Sequence, residues 1–215
     1  MRAGFSFLLF VLYATVLFAG DYTYTQKIKD VNCFLTVKIT ENSGVRTIYA
    51  ADDYYFVENT SRAKIGGGVQ EWYLKDKKND TELKAVREGN KINIEGRLKG
   101  KEFKKEHGID DRPWHQLFTW ELDYFVRSNE KRIEFWALRP EDPASSGILV
   151  AYKEKEEKIT MAGLETDAYN VKVTLGGLLS IFWTGDYWYR KSDGFYVRSK
   201  PTGNIFVELN KQENK

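Results

Sequence analysis

Alternation of apolar and polar residues with a period of two recurs along the chain. The clearest instance covers 91–99, where every odd-numbered position is polar and Ile92, Ile94 and Leu98 lie between. Strands with this pattern bury one face and expose the other, as the strands of antiparallel sheets do. The pattern predicts further strands over Tyr22–Ile28, Val45–Ala50, Asp53–Glu58, Val69–Lys75, Leu83–Arg87, Arg132–Arg139, Leu149–Lys155, Tyr169–Leu175, Tyr187–Arg190 and Phe195–Ser199.

Many strands at short spacing, with few helical intervals, predict a mainly β fold. We expect one large curved antiparallel sheet, a half-barrel or partly rolled sheet, with one or two short helices. Asp193-Gly194 predicts a hairpin turn. From Trp114 the apolar positions fit one helix face, which Asp110 or Asp111 would cap, although a short helix followed by an extended piece fits equally. A second short helical candidate is Leu178–Ile181.

The N-terminus has the layout of a secretory signal. Arg2 precedes an almost unbroken apolar run, Phe5–Phe18, that ends at Ala19. The run is shorter than the roughly 20 apolar residues of a membrane-spanning helix. We predict cleavage after Ala19. Leu17 is larger than the residue usually found three positions before such a site, so an uncleaved signal anchor is the alternative.

Beyond the signal peptide, which covers 1–19, the sequence predicts a single β-rich domain over 20–215. The chain has 33 Lys and Arg against 31 Asp and Glu, and this balance gives no reason to expect a nucleic-acid partner. No other stretch is apolar enough to span a membrane. Cys33 is the sole cysteine, which excludes an internal disulfide. It shares a strand face with Leu35 and Val37, so we expect it to be buried.

Residues arranged for catalysis are missing from the sequence. It contains no His-Glu-x-x-His pair, no paired-cysteine site and no Gly-x-Ser-x-Gly elbow. The two histidines, His107 and His115, have Asp110 and Asp111 between them, but this spacing matches no standard metal site. We therefore expect no metal, no cofactor and no catalytic centre. Gly66–Gly68 lacks a strand-then-helix context and predicts a flexible connection between strands.

Aromatic residues are the strongest signal, at 15% of the chain. Most are expected in the core, because aromatic side chains bury large areas. Adjacent residues on a strand face opposite ways, however, so Phe135-Trp136 and Trp72-Tyr73 each place one ring outward. The outer face then needs a cover, such as the helix predicted from Trp114, or an apolar ligand. The candidate ligand-binding residues are the six tryptophans, Trp72, Trp114, Trp120, Trp136, Trp183 and Trp188.

Two combinations of tryptophan, arginine and aspartate occur at predicted turns. An arginine that stacks on an indole and pairs with a nearby carboxylate would stabilise a turn. We therefore favour a structural role over ligand contact for both combinations. They are Trp136 with Arg139 and Asp142, and Trp188 with Arg190 and Asp193.

Three motifs, at Pro113–Gln116, Phe135–Asp142 and Phe182–Gly194, carry a resemblance to known proteins. Through them the chain resembles a family of exported bacterial proteins of unknown function. The resemblance covers about residues 105–208, and Val171–Val173 fits the family's penultimate strand. It implies a Gram-negative envelope, with the periplasm as the compartment. Such proteins are similar in architecture to periplasmic lipoprotein carriers, which are curved antiparallel half-barrels with an apolar cavity.

Export, a curved sheet and surplus aromatic residues together lead to an expected function. We expect a periplasmic protein that binds or carries an apolar or amphipathic envelope molecule, with lipid as the favoured ligand. The alternative is an envelope scaffold or assembly protein that binds a protein partner. Enzymatic function is the least favoured hypothesis, because no nucleophile, base or metal signature is recognisable. The carrier interpretation extends a fold-level analogy, and a fold by itself does not determine function.

Overall fold

The computed structural model describes residues 18–28, 31–139, 142–161, 164–177, 183–201 and 205–214. The described residues form fourteen strands, and many of them alternate between buried and exposed positions as the sequence predicts. Leu35, Val37 and Ile39 are buried on the second strand, and Ile92 and Ile94 are buried on the seventh. The mainly β prediction is therefore confirmed.

The strands are numbered in chain order, and two short helices interrupt them between the eighth and the ninth. The strands are β1 Phe18–Ile28, β2 Val31–Asn42, β3 Val45–Asp52, β4 Val57–Lys64, β5 Val69–Asp76, β6 Thr81–Glu88, β7 Lys91–Leu98, β8 Lys101–Gly108, β9 Arg132–Arg139, β10 Asp142–Met161, β11 Leu164–Leu175, β12 Thr184–Arg190, β13 Tyr196–Pro201 and β14 Ile205–Asn214. The helices are α1 Phe118–Glu121 and α2 Asp123–Arg127.

All fourteen strands belong to one antiparallel sheet. Strands β1 to β8 form one run of sequential neighbours, and β9 to β14 form a second. The runs join where β1 pairs with β14, from Gly20 opposite Asn214 to Ile28 opposite Ile205. The sheet therefore has β8 and β9 as its two edges, and both helices lie in the connection between those edges.

A short extended segment connects edge strand β9 to strand β5. The His115 N–H donates to the Trp136 carbonyl at 2.9 Å, and the Trp136 N–H donates to the Pro113 carbonyl at 2.8 Å. From the other side, the Val69 N–H of β5 donates to the Trp114 carbonyl at 2.7 Å. These bonds satisfy backbone groups that an edge strand would otherwise expose, and they hold β9 beside β5.

Packing across the interior shows that the sheet is rolled. Leu138 of β9 packs in one buried cluster with Trp72 of β5 and Ile94 of β7, although these strands lie far apart in the strand order. His107 of β8 also donates from Nε2 to the Pro143 carbonyl of β10 at 3.0 Å. A second, larger cluster fills the other part of the roll with residues from β1 to β3, β9 to β14 and both helices.

The helix predicted from Trp114 begins four residues later, at Phe118. Trp114 itself is extended, because its segment bonds to two strands and takes their backbone geometry. The expected aspartate cap is also wrong: Leu117 is the N-cap residue of α1, without a side-chain hydrogen bond. The pattern correctly indicated buried positions, since Leu122 and Phe125 are buried, but it did not show where the helix begins.

The structure differs from two other local predictions. The strand predicted over Asp53–Glu58 is wrong over 53–56, because the Asp52 carboxylate accepts the N–H groups of Tyr54 and Tyr55 and holds a turn there, whereas Val57 and Glu58 begin β4. Cys33 is half-buried instead of fully buried, and its thiol donates to the Gln26 carbonyl at 3.2 Å.

Two predictions concern residues that the structure does not describe. The helical candidate over 178–181 lies outside the described residues, and so does the predicted signal as far as residue 17. Cleavage after Ala19 stays a prediction. Among the described helices, none has the length and apolar character needed to cross a membrane.

The glycine run between β4 and β5 allows close packing. A Cβ on Gly68 would lie 2.9 Å from the backbone nitrogen of Trp114 and 3.1 Å from its carbonyl oxygen. Gly66 has a φ of +74° and lies directly under the Tyr124 ring. The run therefore permits the approach of the 113–115 segment and of α2.

We predict that Gly68→Ala destabilises the protein by about 1–3 kcal/mol, because its Cβ meets rigid backbone that cannot move aside. Gly108→Ala is the matched control, since its Cβ would meet nothing within 4 Å. The control should change stability by less than about 0.5 kcal/mol. Urea unfolding of the three proteins measures both values. Equal stability of Gly68→Ala and wild type would contradict the close approach.

Candidate functional site

A buried ion pair connects the helices to the sheet. Arg46 of β3 reaches Asp123 of α2 with two hydrogen bonds, of which the Nη2–Oδ2 bond measures 3.1 Å. The Arg46 Nε also donates to Glu41 at 2.6 Å, and Arg127 Nη2 donates to Asp123 at 2.8 Å. The side chains of Arg46 and Asp123 are only 15% and 12% exposed. Burial by itself would lower the pKa of Arg46, but Asp123 and Glu41 raise it and keep the guanidinium charged.

A cleft of about 230 Å³ lies on one side of this pair. Leu122, Phe125 and Ile133 provide apolar parts of its wall, and His115 and Glu121 provide polar ones. We call it the glutamate cleft. Its lining combines apolar surface with a few buried polar groups, which is the usual composition of small-molecule sites.

Glu121 is the most deeply buried charged side chain of the glutamate cleft, with 2% exposure. Its Oε1 accepts the Ser61 hydroxyl at 2.6 Å. Its Oε2 lies 3.5 Å from His115 Nδ1, and neither of those two atoms has a hydrogen-bond partner. Because buried polar atoms are nearly always hydrogen-bonded, this pair of atoms is unusual.

A second cleft, of about 260 Å³, lies on the other side of the ion pair. Its walls include Trp120, Tyr189, Phe195 and Tyr196, and we call it the aromatic cleft. Burial raises the pKa of Tyr189 well above its ordinary value, and the Tyr189 hydroxyl has no hydrogen-bond partner. This cleft therefore also contains a buried polar atom among rings.

The interior between the clefts is packed with aromatic rings. Trp120 meets Tyr24 and Tyr196 edge-on, with ring centroids 6.0 and 5.9 Å apart. Phe118 packs against Phe135 at 5.8 Å. Rings at these separations attract each other and leave little free volume. Much of the aromatic surplus therefore forms the core instead of lining a large void.

The six tryptophans proposed as ligand contacts have different surroundings. Trp72 and Trp114 are fully buried and donate from Nε1 to Asn59 and Gln116 respectively. Trp183 packs against the larger core cluster from a half-buried position. Trp120 is the member of the set that lines one of the two clefts.

Trp136 and Trp188 are half-buried and have arginine neighbours from other parts of the chain. The guanidinium of Arg112 lies 5.9 Å from the Trp136 ring, and the Trp136 Nε1 donates to Asp110 at 2.9 Å. Arg198 lies 4.6 Å from the Trp188 ring. In both cases the stacked arginine is one that the sequence combination did not include.

The remaining residues of the two predicted combinations lie at or beside strand ends. Arg190 forms three hydrogen bonds to Asp193, at 2.9, 3.1 and 2.6 Å, across the β12–β13 turn. Arg139 and Asp142 are opposite each other where β9 pairs with β10, and the Asp142 carboxylate accepts the Ser145 hydroxyl at 2.6 Å.

The two histidines do not meet. His107 bonds to Pro143 at the edge of the sheet, whereas His115 faces Glu121 in the glutamate cleft. No group of three or more potential metal ligands occurs within the part of the chain that the structure describes.

The sequence patterns did not reveal Arg46, Ser61, Glu121 and Asp123, which belong to four separate elements. One signal for Glu121 was present, because positions 118, 121, 122 and 125 lie on one helix face. A glutamate on an otherwise apolar face is a candidate buried group. Nothing in the sequence indicated that Ser61 and Arg46 would lie opposite that face.

Comparison with known proteins supports the fold. No protein-family model matches the chain, and no curated protein matches it either. The fold is similar to the crystal structure of a beta-barrel-like protein of the domain of unknown function DUF1849 from Brucella abortus. The TM-score is 0.63 and the identity 10%, over 94% of this chain and 98% of that one. At this identity the likeness shows a barrel-like fold only.

A structure of PNGF-II is also similar, with a TM-score of 0.37 and 10% identity over 92% of this chain and 28% of that one. The barrel-like neighbour is itself a protein of unknown function, which agrees with the resemblance to an uncharacterised family.

We predict that Arg46→Met destabilises the protein by about 3 kcal/mol, because it removes the cation that the buried Asp123 carboxylate shares with the half-buried Glu41. Arg62→Met is the matched control, since the Arg62–Glu71 pair is 54% and 41% exposed and 3.4 Å long. That change should cost less than about 1 kcal/mol. Urea unfolding measures both. Similar losses in the two variants would contradict a special role for the Arg46–Asp123 pair.

A second prediction concerns Asp110, whose pKa is lowered to about 2 by hydrogen bonds from Arg112 and then from Trp136. A lowered pKa means that the interaction is present above the ordinary carboxyl pKa of about 3.9 and is lost as the pH falls toward 2. In Arg112→Gln the pKa should rise toward the ordinary value, and in Trp136→Phe it should rise less. NMR titration of the carboxyl carbon measures this. An unchanged pKa in Arg112→Gln would contradict the assignment.

Proposed function

We propose that this chain is an exported, non-catalytic binding protein of the Gram-negative periplasm that holds a small amphipathic molecule beside α1 and α2. The apolar run after Arg2 supports export. The two clefts support binding, because each combines apolar walls with a few buried polar atoms.

The observation that carries this proposal is the presence of buried polar atoms without partners in both clefts. The Glu121 Oε2 is such an atom in the glutamate cleft, and the Tyr189 hydroxyl is another in the aromatic cleft. A ligand with a polar end would satisfy either atom, and its apolar part would contact the surrounding rings.

The size of the clefts limits the ligand. Volumes of about 230 and 260 Å³ lie below the range of about 300–1,000 Å³ that is common for drug-sized ligands. The proposed ligand is therefore much smaller than a lipid with two acyl chains, and a large lipid cavity like that of the lipoprotein carriers is not part of the proposal.

The order of the polar groups supports a non-catalytic role. In a serine hydrolase the imidazole lies between the serine and the carboxylate and takes the serine proton. Here the Glu121 carboxylate lies between Ser61 and His115, and the hydroxyl donates to the carboxylate directly. The imidazole is therefore not placed to activate Ser61.

Native mass spectrometry of protein purified gently from the envelope tests the proposal. We expect a noncovalent adduct of a few hundred daltons at most, since the clefts are small. Thr119→Trp adds a ring beside the aromatic cleft and should reduce an adduct that occupies it. Thr160→Trp is the control, because Thr160 is exposed on β10. An adduct-free wild type that also takes up no hexanol, hexylamine or hexanoate would contradict the proposal.

A protein partner is the second candidate function, and an exposed aromatic patch favours it. Tyr54, Tyr55 and Phe56 of the β3–β4 turn are exposed beside Phe34 of β2, whose carbonyl accepts the N–H of Asp53 at 3.4 Å. Exposed apolar groups of this kind commonly mark contact surfaces. A photo-crosslinking residue at position 56 should capture one defined envelope protein in cells, and the same residue at Lys101, on the far edge strand, should not.

A further inference from the structure

The glutamate cleft contains two neighbouring acceptor positions of known geometry. Glu121 Oε2 and His115 Nδ1 are 3.5 Å apart, and both are buried without hydrogen bonds. The side chains are 2% and 8% exposed, and both residues line the cleft. In the tautomer that carries its proton on Nε2, the imidazole accepts at Nδ1. A single group with several N–H donors could therefore bond to both atoms.

The charges around the cleft differ between its two buried carboxylates. Asp123 has two guanidinium partners, Arg46 and Arg127. Among the described residues, Glu121 has one ion-pair neighbour, His115, whose Nδ1 lies 3.5 Å from Glu121 Oε2. A buried carboxylate without a firm cationic partner is unfavourable, and a ligand cation would remove that cost.

The shape of the cleft limits the rest of the ligand. A dry cavity of about 150 Å³ in another protein accommodates benzene. The glutamate cleft is larger, at about 230 Å³, and Leu122, Phe125 and Ile133 form apolar parts of its wall. One ring or short chain with a single polar arm fits this volume.

We propose that the glutamate cleft binds the primary ammonium group of a small apolar amine. Two of its N–H groups donate to Glu121 Oε2 and His115 Nδ1, and the apolar part packs on Phe125 and Ile133. This inference rests on the proposed function and narrows its ligand class to amines. Ser61 keeps the second carboxylate oxygen in place through its 2.6 Å hydrogen bond.

Amide NMR titration at neutral pH with benzylamine, benzyl alcohol and benzoate tests the proposal. Wild-type protein should bind benzylamine at least about tenfold more tightly than the alcohol, which is the effect of one charge-assisted hydrogen bond. Benzoate should bind most weakly, because its carboxylate would face Glu121. The shifted amides should be those of the cleft, such as Leu122 and Phe125.

Two variants separate the proposed contact from general charge effects. Glu121→Gln should abolish the preference for the amine over the alcohol. Glu130→Gln removes an exposed carboxylate from the same cleft and should change amine affinity by less than about threefold. The amide spectrum of Glu121→Gln, compared with that of the wild type, shows whether this variant is folded.

The outcomes distinguish this inference from the proposed function. Equal binding of amine and alcohol in the glutamate cleft overturns the amine assignment and leaves small-molecule binding intact. Wild-type protein that binds none of the three probes also overturns the assignment, while native mass spectrometry still decides the proposed function. Because both results use wild-type protein, neither depends on the stability of a variant.

Discussion

The backbone hydrogen bonds of the Trp114 segment are the constraint on which the rest of the structure depends. A sheet of fourteen strands has two edges, and one of them, β9, bonds to this segment while Val69 of β5 bonds to its other side. Through these bonds the sheet stays rolled. The chain then leaves the segment beside the concave face, so α1 and α2 pack inside the roll and not on its outer surface.

The interior is filled mainly by aromatic side chains, and this limits the space for a ligand. Tyrosine rings pack well but carry hydroxyls that need partners when buried. Tyr24 donates to the Tyr196 carbonyl at 3.1 Å, and Tyr196 donates to Ser199 at 2.8 Å. Free volume remains where the short helices meet the sheet, on either side of the Arg46–Asp123 pair.

Charge has two different roles in this protein. On the outer face of the sheet, pairs such as Lys158–Glu165 are exposed, keep the surface polar and contribute little stability. Inside the roll, Arg46, Asp123 and Glu121 are largely removed from water, so each needs a partner. The buried set therefore defines the candidate site, although the exposed set is larger and more conspicuous in the sequence.

The sequence by itself indicated most of the strands, because side-chain alternation is a local property that a segment shows on its own, although β8 and β14 were not among those predicted. The pattern over 91–99 became β7, and the pattern over Arg132–Arg139 became β9 with the same bounds. One exception was decided by bonds to distant residues. Trp114 fits a helix face in the sequence, yet its segment is extended because β5 and β9 bond to it.

The tertiary structure alone decided the candidate site. Ser61, His115 and Glu121 lie on different elements, and their distances depend on how far the sheet rolls. The tryptophans, which dominate the sequence, mostly stabilise the core and the turns, because large rings gain most from burial wherever the fold places them. Local pattern thus indicates most of the strands, whereas the convergence of polar groups requires the long-range contacts that only the folded chain provides.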